Sequence, residues 1–147
     1  KIEPHAPPPS ARLAAIKALA SEGIYVGILM MPILPFIEDA LTDVEGITEQ
    51  ACRNGAQFIV PWMGMSLRDR QRDYFYKKLD VHFPGIKEKY IKRFGSNYKC
   101  NSPAATALYT RIAELCASRG VAFDMREVKT YKDKETAIQL SFLRPMG

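Results

Sequence analysis

Near its start the chain sets a carboxylate, an imidazole and a guanidinium within ten positions: Glu3, His5 and Arg12 of "EPHAPPPSAR". Arg12 offers a planar fork that meets a carboxylate in a way Lys cannot. Glu3 and Arg12 could equally meet each other at an exposed helix start, where such pairs contribute little. Two further clusters are apolar. "MPILPFIED" carries Pro32 and Ile33 at the end of one apolar run, and "PWMGMSLRDR" carries Trp62 and Met63 at the end of another. Proline ends a strand and leaves a carbonyl free. Trp and Met there serve either as pocket wall or as ordinary core.

A fourth cluster is electrostatic. Residues 68 to 99 hold ten Lys or Arg against four Asp or Glu, a balance of +6 where the whole chain has +5. The remainder is therefore slightly acidic. Arg68, Arg70, Arg72, Lys77, Lys78, Lys89, Lys92 and Arg93 interleave with Tyr74, Tyr76, Tyr90 and Phe94. Cations among aromatics can contact phosphates and stack bases, which makes nucleic acid a candidate partner. A second reading stands beside it: two amphipathic helices with the aromatics inward and the Lys and Arg solvated. Phe75, Leu79 and Phe83 of "YFYKKLDVHF" have the helical spacing of that second reading, with His82 packed inside the same stripe.

Cys52, Cys100 and Cys116 are odd in number and far apart. They read as free thiols of a reducing compartment and match no disulfide framework, zinc or iron–sulfur spacing. No metal site is expected within the chain. Its 147 residues, 47% hydrophobic and 25% charged, suit one globular domain. No apolar run approaches the roughly 20 residues of a membrane-spanning helix, and none reads as a signal peptide. The expected location is cytoplasmic, with no membrane partner. The first residue is Lys1, so an excised piece of a longer protein stands beside a processed terminus.

The elements that must position these clusters repeat one phrase: a capped helix, a glycine, then an apolar strand. Ser10 is the expected cap of the first helix, Leu13, Ile16, Leu19 and Ala20 its stripe, and Gly23 its stop, before an apolar strand over Ile24 to Met31. Thr42 and Glu45 have capping-box spacing, Val44, Ile47 and Ala51 share a face, and Gly55 leads to the strand "QFIVPWM". In the third copy Ser102 caps, Pro103 opens the helix, Leu108, Ile112 and Leu115 form the stripe, and Gly120 ends it. Such units in series predict an α/β fold with a parallel sheet. Two or three strands are too few for a sheet covered on both faces, so the pattern reads as part of a barrel or open sheet.

The expected organisation places βα units in residues 1–66, a basic insertion with helices near 67–82 and 85–94 in residues 67–101, and the last helix and tail of the same domain in residues 102–147. In the tail, "KTYKDKE" reads as a loop and "AIQLSFL" as a short strand or helix. Ligands of parallel sheets bind beyond the carboxyl ends of the strands, which gathers the first three clusters on one rim.

On those residues the chain resembles the later part of a radical SAM domain, in the branch that includes spore photoproduct lyase and the proteins labelled DNA repair photolyase. The resemblance runs through "EPHAPPPSARLAAIKALASEGIYVGILMMPILPFIED": Glu-Pro, then Pro and Arg opening a helix that ends in Gly, then an apolar strand ending in Pro-Ile-x-Pro with an acid beyond. It continues through "GAQFIVPWMGMSLRDRQRDYFYKKLDVHFPGIKEKYIKRFG" and "AELCASRGVAF", to about residue 125.

The resemblance implies the C-terminal part of a partial (β/α)6, TIM-like barrel that binds S-adenosylmethionine beside a [4Fe–4S] cluster and cleaves it reductively to a 5′-deoxyadenosyl radical. Glu3, His5 and Arg12 would then approach the ribose and carboxylate, Pro32 and Ile33 the adenine, and Trp62 and Met63 the pocket wall. The family's C-x3-C-x2-C motif, which belongs to the first half of the barrel, is absent. The chain would begin after the fourth strand, hold no cofactor alone and be inactive alone. Its expected partners are the missing N-terminal half and, through an unpaired strand edge, a second copy. The competing reading is a non-enzymatic α/β module that binds nucleic acid through helices within residues 67–94.

Overall fold

The computed structural model describes residues 5–129. Among them, five helices alternate with four three-residue strands: α1 (Pro9–Ser21), β1 (Ile28–Met30), α2 (Leu41–Arg53), β2 (Ile59–Pro61), β3 (Gly64–Ser66), α3 (Asp69–His82), α4 (Ile86–Phe94), β4 (Lys99–Asn101) and α5 (Ala105–Ser118). The expected tail elements within residues 130–147 lie outside the described residues.

The helices stop where the sequence says they stop. Gly23, Gly55 and Gly120 follow α1, α2 and α5 with φ of 72°, 90° and 66°. Their starts differ from expectation. Pro8 is the N-cap of α1 and Pro9 its first residue, a position where the missing N–H is no loss, so Ser10 lies inside the helix. Helix α2 begins at Leu41 with no side-chain cap, and Glu45 pairs instead with Arg111 of α5. Helix α5 starts after Ala104, so Pro103 precedes it, yet the Ser102 hydroxyl still accepts the Ala104 N–H at 3.0 Å.

Strands β1 and β2 pair in parallel, with Ile28 opposite Ile59, Leu29 opposite Val60 and Met30 opposite Pro61. A third parallel contact joins Phe58 to Ala122, where Ile59 N–H donates to Ala122 O at 2.8 Å and Ala122 N–H to Gln57 O at 3.0 Å. The ladders are shorter than the apolar runs, and at their carboxyl ends Pro32 and Pro61 have no N–H to donate. Gly27 is needed where the strands approach, since a Cβ there would stand 2.2 Å from the Phe58 carbonyl oxygen. The described residues do not close a barrel.

All three helix–strand units feed one core. Leu13 and Ile16 of α1, Val44 and Ala51 of α2, and Leu108, Ile112 and Cys116 of α5 cluster with Met30, Ile59 and Met63. Helices α1, α2 and α5 therefore cover the face of the parallel layer that carries Met30 and Ile59. Leu29 alternates to the opposite face and is 65% exposed.

The basic stretch forms a second core. Phe75, Leu79, Tyr90, Phe94, Leu67 and Cys100 gather there, together with Leu34 and Phe36 from the segment after β1. Its floor is an antiparallel pair that periodicity did not reveal, β3 with β4, in which Met65 faces Cys100. No described helix is long and apolar enough to cross a membrane.

Candidate functional site

The carboxyl ends of β1 and β2 come together through one backbone bond: Ile33 N–H donates to Trp62 O at 3.1 Å. The residues gathered there divide between rim and core. Ile33 is buried and Met63 fully so, both inside the first core. Met63 is also held through its backbone, its N–H donating to the Tyr109 hydroxyl at 3.2 Å and its carbonyl accepting the Ser102 N–H at 2.8 Å. Pro32 is exposed and Trp62 half-buried, so these two present surface at the rim.

His5 precedes α1 and Arg12 lies in its first turn; both are exposed, and Arg12 makes no ion pair among the described residues. Glu3 lies outside the described residues, and with it the proposed Glu3–Arg12 contact.

Two polar pairs at this end were not singled out from the sequence. Asp39, beyond the Pro-Ile-x-Pro turn, accepts a 2.5 Å hydrogen bond from the buried Ser102 hydroxyl. The signals were present separately, as an acid after the turn and a helix cap, but only the fold joins residues 63 positions apart. Asp124, just past the third parallel contact, binds Arg126 through its side chain and the backbone N–H. Those bonds hold its carboxyl down at about 2.

The eight basic candidates also divide. Arg72 is engaged: its guanidinium donates to the carbonyls of Gly95 (2.8 Å), Asn97 (2.8 Å), Ser96 (3.1 Å) and Leu67 (3.2 Å). It is a structural clasp at the end of α4, not a free phosphate ligand. Lys78 is half-buried, with its ammonium 5.5 Å from the centre of the Tyr74 ring. Arg68, Arg70, Lys77, Lys89, Lys92 and Arg93 are exposed.

The aromatics sort in the same way. Tyr90 and Phe94 are buried and Tyr76 packs against them, with Tyr90 at 5.3 Å from Phe94 and 6.4 Å from Tyr76 between ring centres. None of the three is placed to stack a base. Burial, then the neighbouring Cys100 and Asp39, push the Tyr90 hydroxyl well above its ordinary range. Tyr74 and Tyr98 remain exposed, and Arg68 lies 6.0 Å from the Tyr98 ring centre. A hydrogen bond to Ser66, followed by the effect of Arg68, lowers the Tyr98 hydroxyl.

The cysteines do not build a cluster site. Cys100 lies in the second core, and Cys52 and Cys116 belong to the first. No three His, Cys, Asp or Glu among the described residues stand where they could hold a metal ion. The described residues do not fit an iron–sulfur cluster. No protein-family model, curated protein or solved structure matches the chain.

Proposed function

We propose that this chain is the C-terminal part of a radical SAM enzyme, and that its rim holds the nucleoside end of S-adenosylmethionine. The observation that carries this reading is the cover of the parallel layer: α1, α2 and α5 share the face of Met30 and Ile59, while on the other face Leu29 is exposed and its partner Val60 is buried. A doubly wound sheet puts helices on both faces, whereas one arc of a barrel keeps them all outside. Pro32, Trp62, His5 and Arg12 then line the arc's carboxyl end, with Arg12 suited to a carboxylate and the edge of Trp62 to a flat base. The cluster, held by residues outside this chain, would supply the electron that cleaves the sulfonium. The roles left to this chain are to position the nucleoside and exclude water.

The test begins upstream of Lys1. A reading frame carrying C-x3-C-x2-C is expected, and the joined protein, reconstituted with iron and sulfide and then reduced, should release 5′-deoxyadenosine from S-adenosylmethionine. An upstream frame without that motif overturns the reading.

A second reading rests on a separate observation. Six of the eight basic candidates remain exposed after folding, beside the exposed Tyr74 and Tyr98. They would form a polyanion-binding face with no catalytic role, whose salt dependence separates it from the first reading.

A further inference from the structure

The outer face of the β3–β4 pair gathers two cations and two hydroxyls that the rim does not use. Met65 and Cys100 stand opposite each other and enter the second core, so alternation turns their neighbours Ser66 and Lys99, also opposite each other, outward. Gly64 lets the strands close, since a Cβ there would stand 2.8 Å from the Cys100 carbonyl oxygen. Beyond the pair, Leu67 N–H donates to Tyr98 O at 2.9 Å, which keeps Tyr98 beside the start of α3. Arg72 fixes it there by donating to the carbonyls of Ser96 and Asn97, the two residues before it.

Arg68, at the head of α3, lies 6.0 Å from the centre of the Tyr98 ring. Ser66 and Arg68 both hydrogen-bond the Tyr98 hydroxyl and, with Lys99, hold it below its ordinary range. A bond that lowers a phenol is one its oxygen accepts, so the Tyr98 O–H is left to donate outward. Tyr98, Arg68 and Lys99 are exposed and Ser66 is half-buried. Neither cation makes an ion pair with a described side chain. Two unpaired positive charges beside one phenol repel each other, and a bound anion offsets that repulsion. Arg68 brings a planar fork, Lys99 a point charge and Tyr98 a neutral donor. That set matches the three oxygens of a phosphate better than the two of a carboxylate.

We propose that Arg68, Lys99 and Tyr98, supported by Ser66, bind a single phosphate dianion, either free or as a monoester. The turn clasped by Arg72 and the strand pair beneath it hold the three donors in place before the ligand arrives. The site needs one phosphate and no polymer, and it lies on the second core, away from the parallel layer. It therefore stands or falls apart from both readings above.

Amide spectra of the full chain test it, with inorganic phosphate exchanged for chloride at constant ionic strength and about pH 7.5, where phosphate is mostly dianionic. Saturable shifts are expected at Ser66, Arg68 and Lys99, and with phosphate present the Tyr98 hydroxyl should titrate at higher pH than without it. Arg68→Gln/Lys99→Gln should weaken binding at least about tenfold and Tyr98→Phe about threefold. The Ile59 and Ile112 amides of the first core should hold their positions in both variants. Should the double variant disturb them, Tyr98→Phe decides, and unchanged affinity in it sinks the proposal. Phenyl phosphate should bind as inorganic phosphate does, and dimethyl phosphate, a monoanion, about fivefold more weakly. Equal binding of that diester overturns the assignment to a dianion. Shifts that never saturate, or that spread evenly over Lys89, Lys92 and Arg93, overturn the site in favour of diffuse positive charge.

Discussion

Arg72 shows how a single side chain can leave the surface a sequence assigns to it. Four carbonyls occupy its guanidinium, three of them in the turn after α4. Arg72→Ala would strand those acceptors in a half-closed site, and the denaturation midpoint should fall by an amount corresponding to about 1–3 kcal/mol. Arg72→Lys should not restore it, because an ammonium cannot span the same fork. Retention on a polyanion should barely change, in contrast to substitutions at Lys89 or Lys92. Cys116 gives a second residue-scale expectation. It is fully buried between α2, α5 and the layer, and burial raises its thiol from 9.0 to about 11, with nearby Cys52 adding to the effect. Between those values the unfolded chain gives up a proton that the fold retains, so stability is intact below about pH 9 and falls as pH rises towards about 11. Denaturant midpoints measured from about pH 8 to about pH 10.5 should therefore drop more steeply for the native chain than for Cys116→Val. Parallel pH profiles for the two would contradict this.

At the scale of elements, the segment after β1 is the joint of the molecule. Leu34 and Phe36 enter the second core, Ile33 enters the first, and Asp39 ties the segment to the head of α5 through Ser102. Ser102→Ala removes the donor to Asp39 and the acceptor for Ala104 N–H together, and should cost about 1–3 kcal/mol by chemical denaturation. Asp39→Ala combined with it should cost less than the sum of the two single changes, with a coupling of about 0.5–3 kcal/mol. Strict additivity would mean that the pair does not hold the joint. The elements it joins were largely legible in advance. Positive-φ glycines and the Pro84-Gly85 break set the helix ends, and the helices expected near 67–82 and 85–94 occur at Asp69–His82 and Ile86–Phe94. The pairing of β3 with β4 was not legible, since "GMS" and "KCN" carry no alternation and little β-propensity, and only the packing of Met65 and Cys100 beneath Tyr90 makes them strands. At the candidate site, the gathering of Pro32, Ile33, Trp62 and Met63 followed from strand order alone. The Asp39–Ser102 bond did not, because it depends on where the joint lands in space.

Across the whole molecule charge is unevenly spread. The stretch from Arg68 to Lys99 carries +6 while the chain carries +5. Folding keeps most of that excess on the outside: Arg72 turns to carbonyls and Lys87 pairs with Asp80 at 2.7 Å, but Arg68, Arg70, Lys77, Lys89, Lys92 and Arg93 remain exposed. The second core supplies the rigidity, since Phe75, Tyr76, Tyr90 and Phe94 pack on one another beneath α3 and α4. A fixed array of cations binds a polyanion mainly by releasing its counterions, which makes the logarithm of affinity fall linearly with the logarithm of salt. The full chain should therefore be retained on single-stranded DNA at low salt. A Lys89→Gln/Lys92→Gln/Arg93→Gln variant should show a slope shallower by about one for each phosphate it no longer neutralises. A variant at the rim such as Arg12→Gln changes charge on α1, which belongs to the first core, and its slope should fall by less than that of the triple variant. Equal falls in slope would mean that net charge alone governs retention and that α4 presents no binding face. No retention at all would leave the exposed cations as a solvated surface and remove the nucleic-acid reading, while the first core and its parallel layer would stand unaffected.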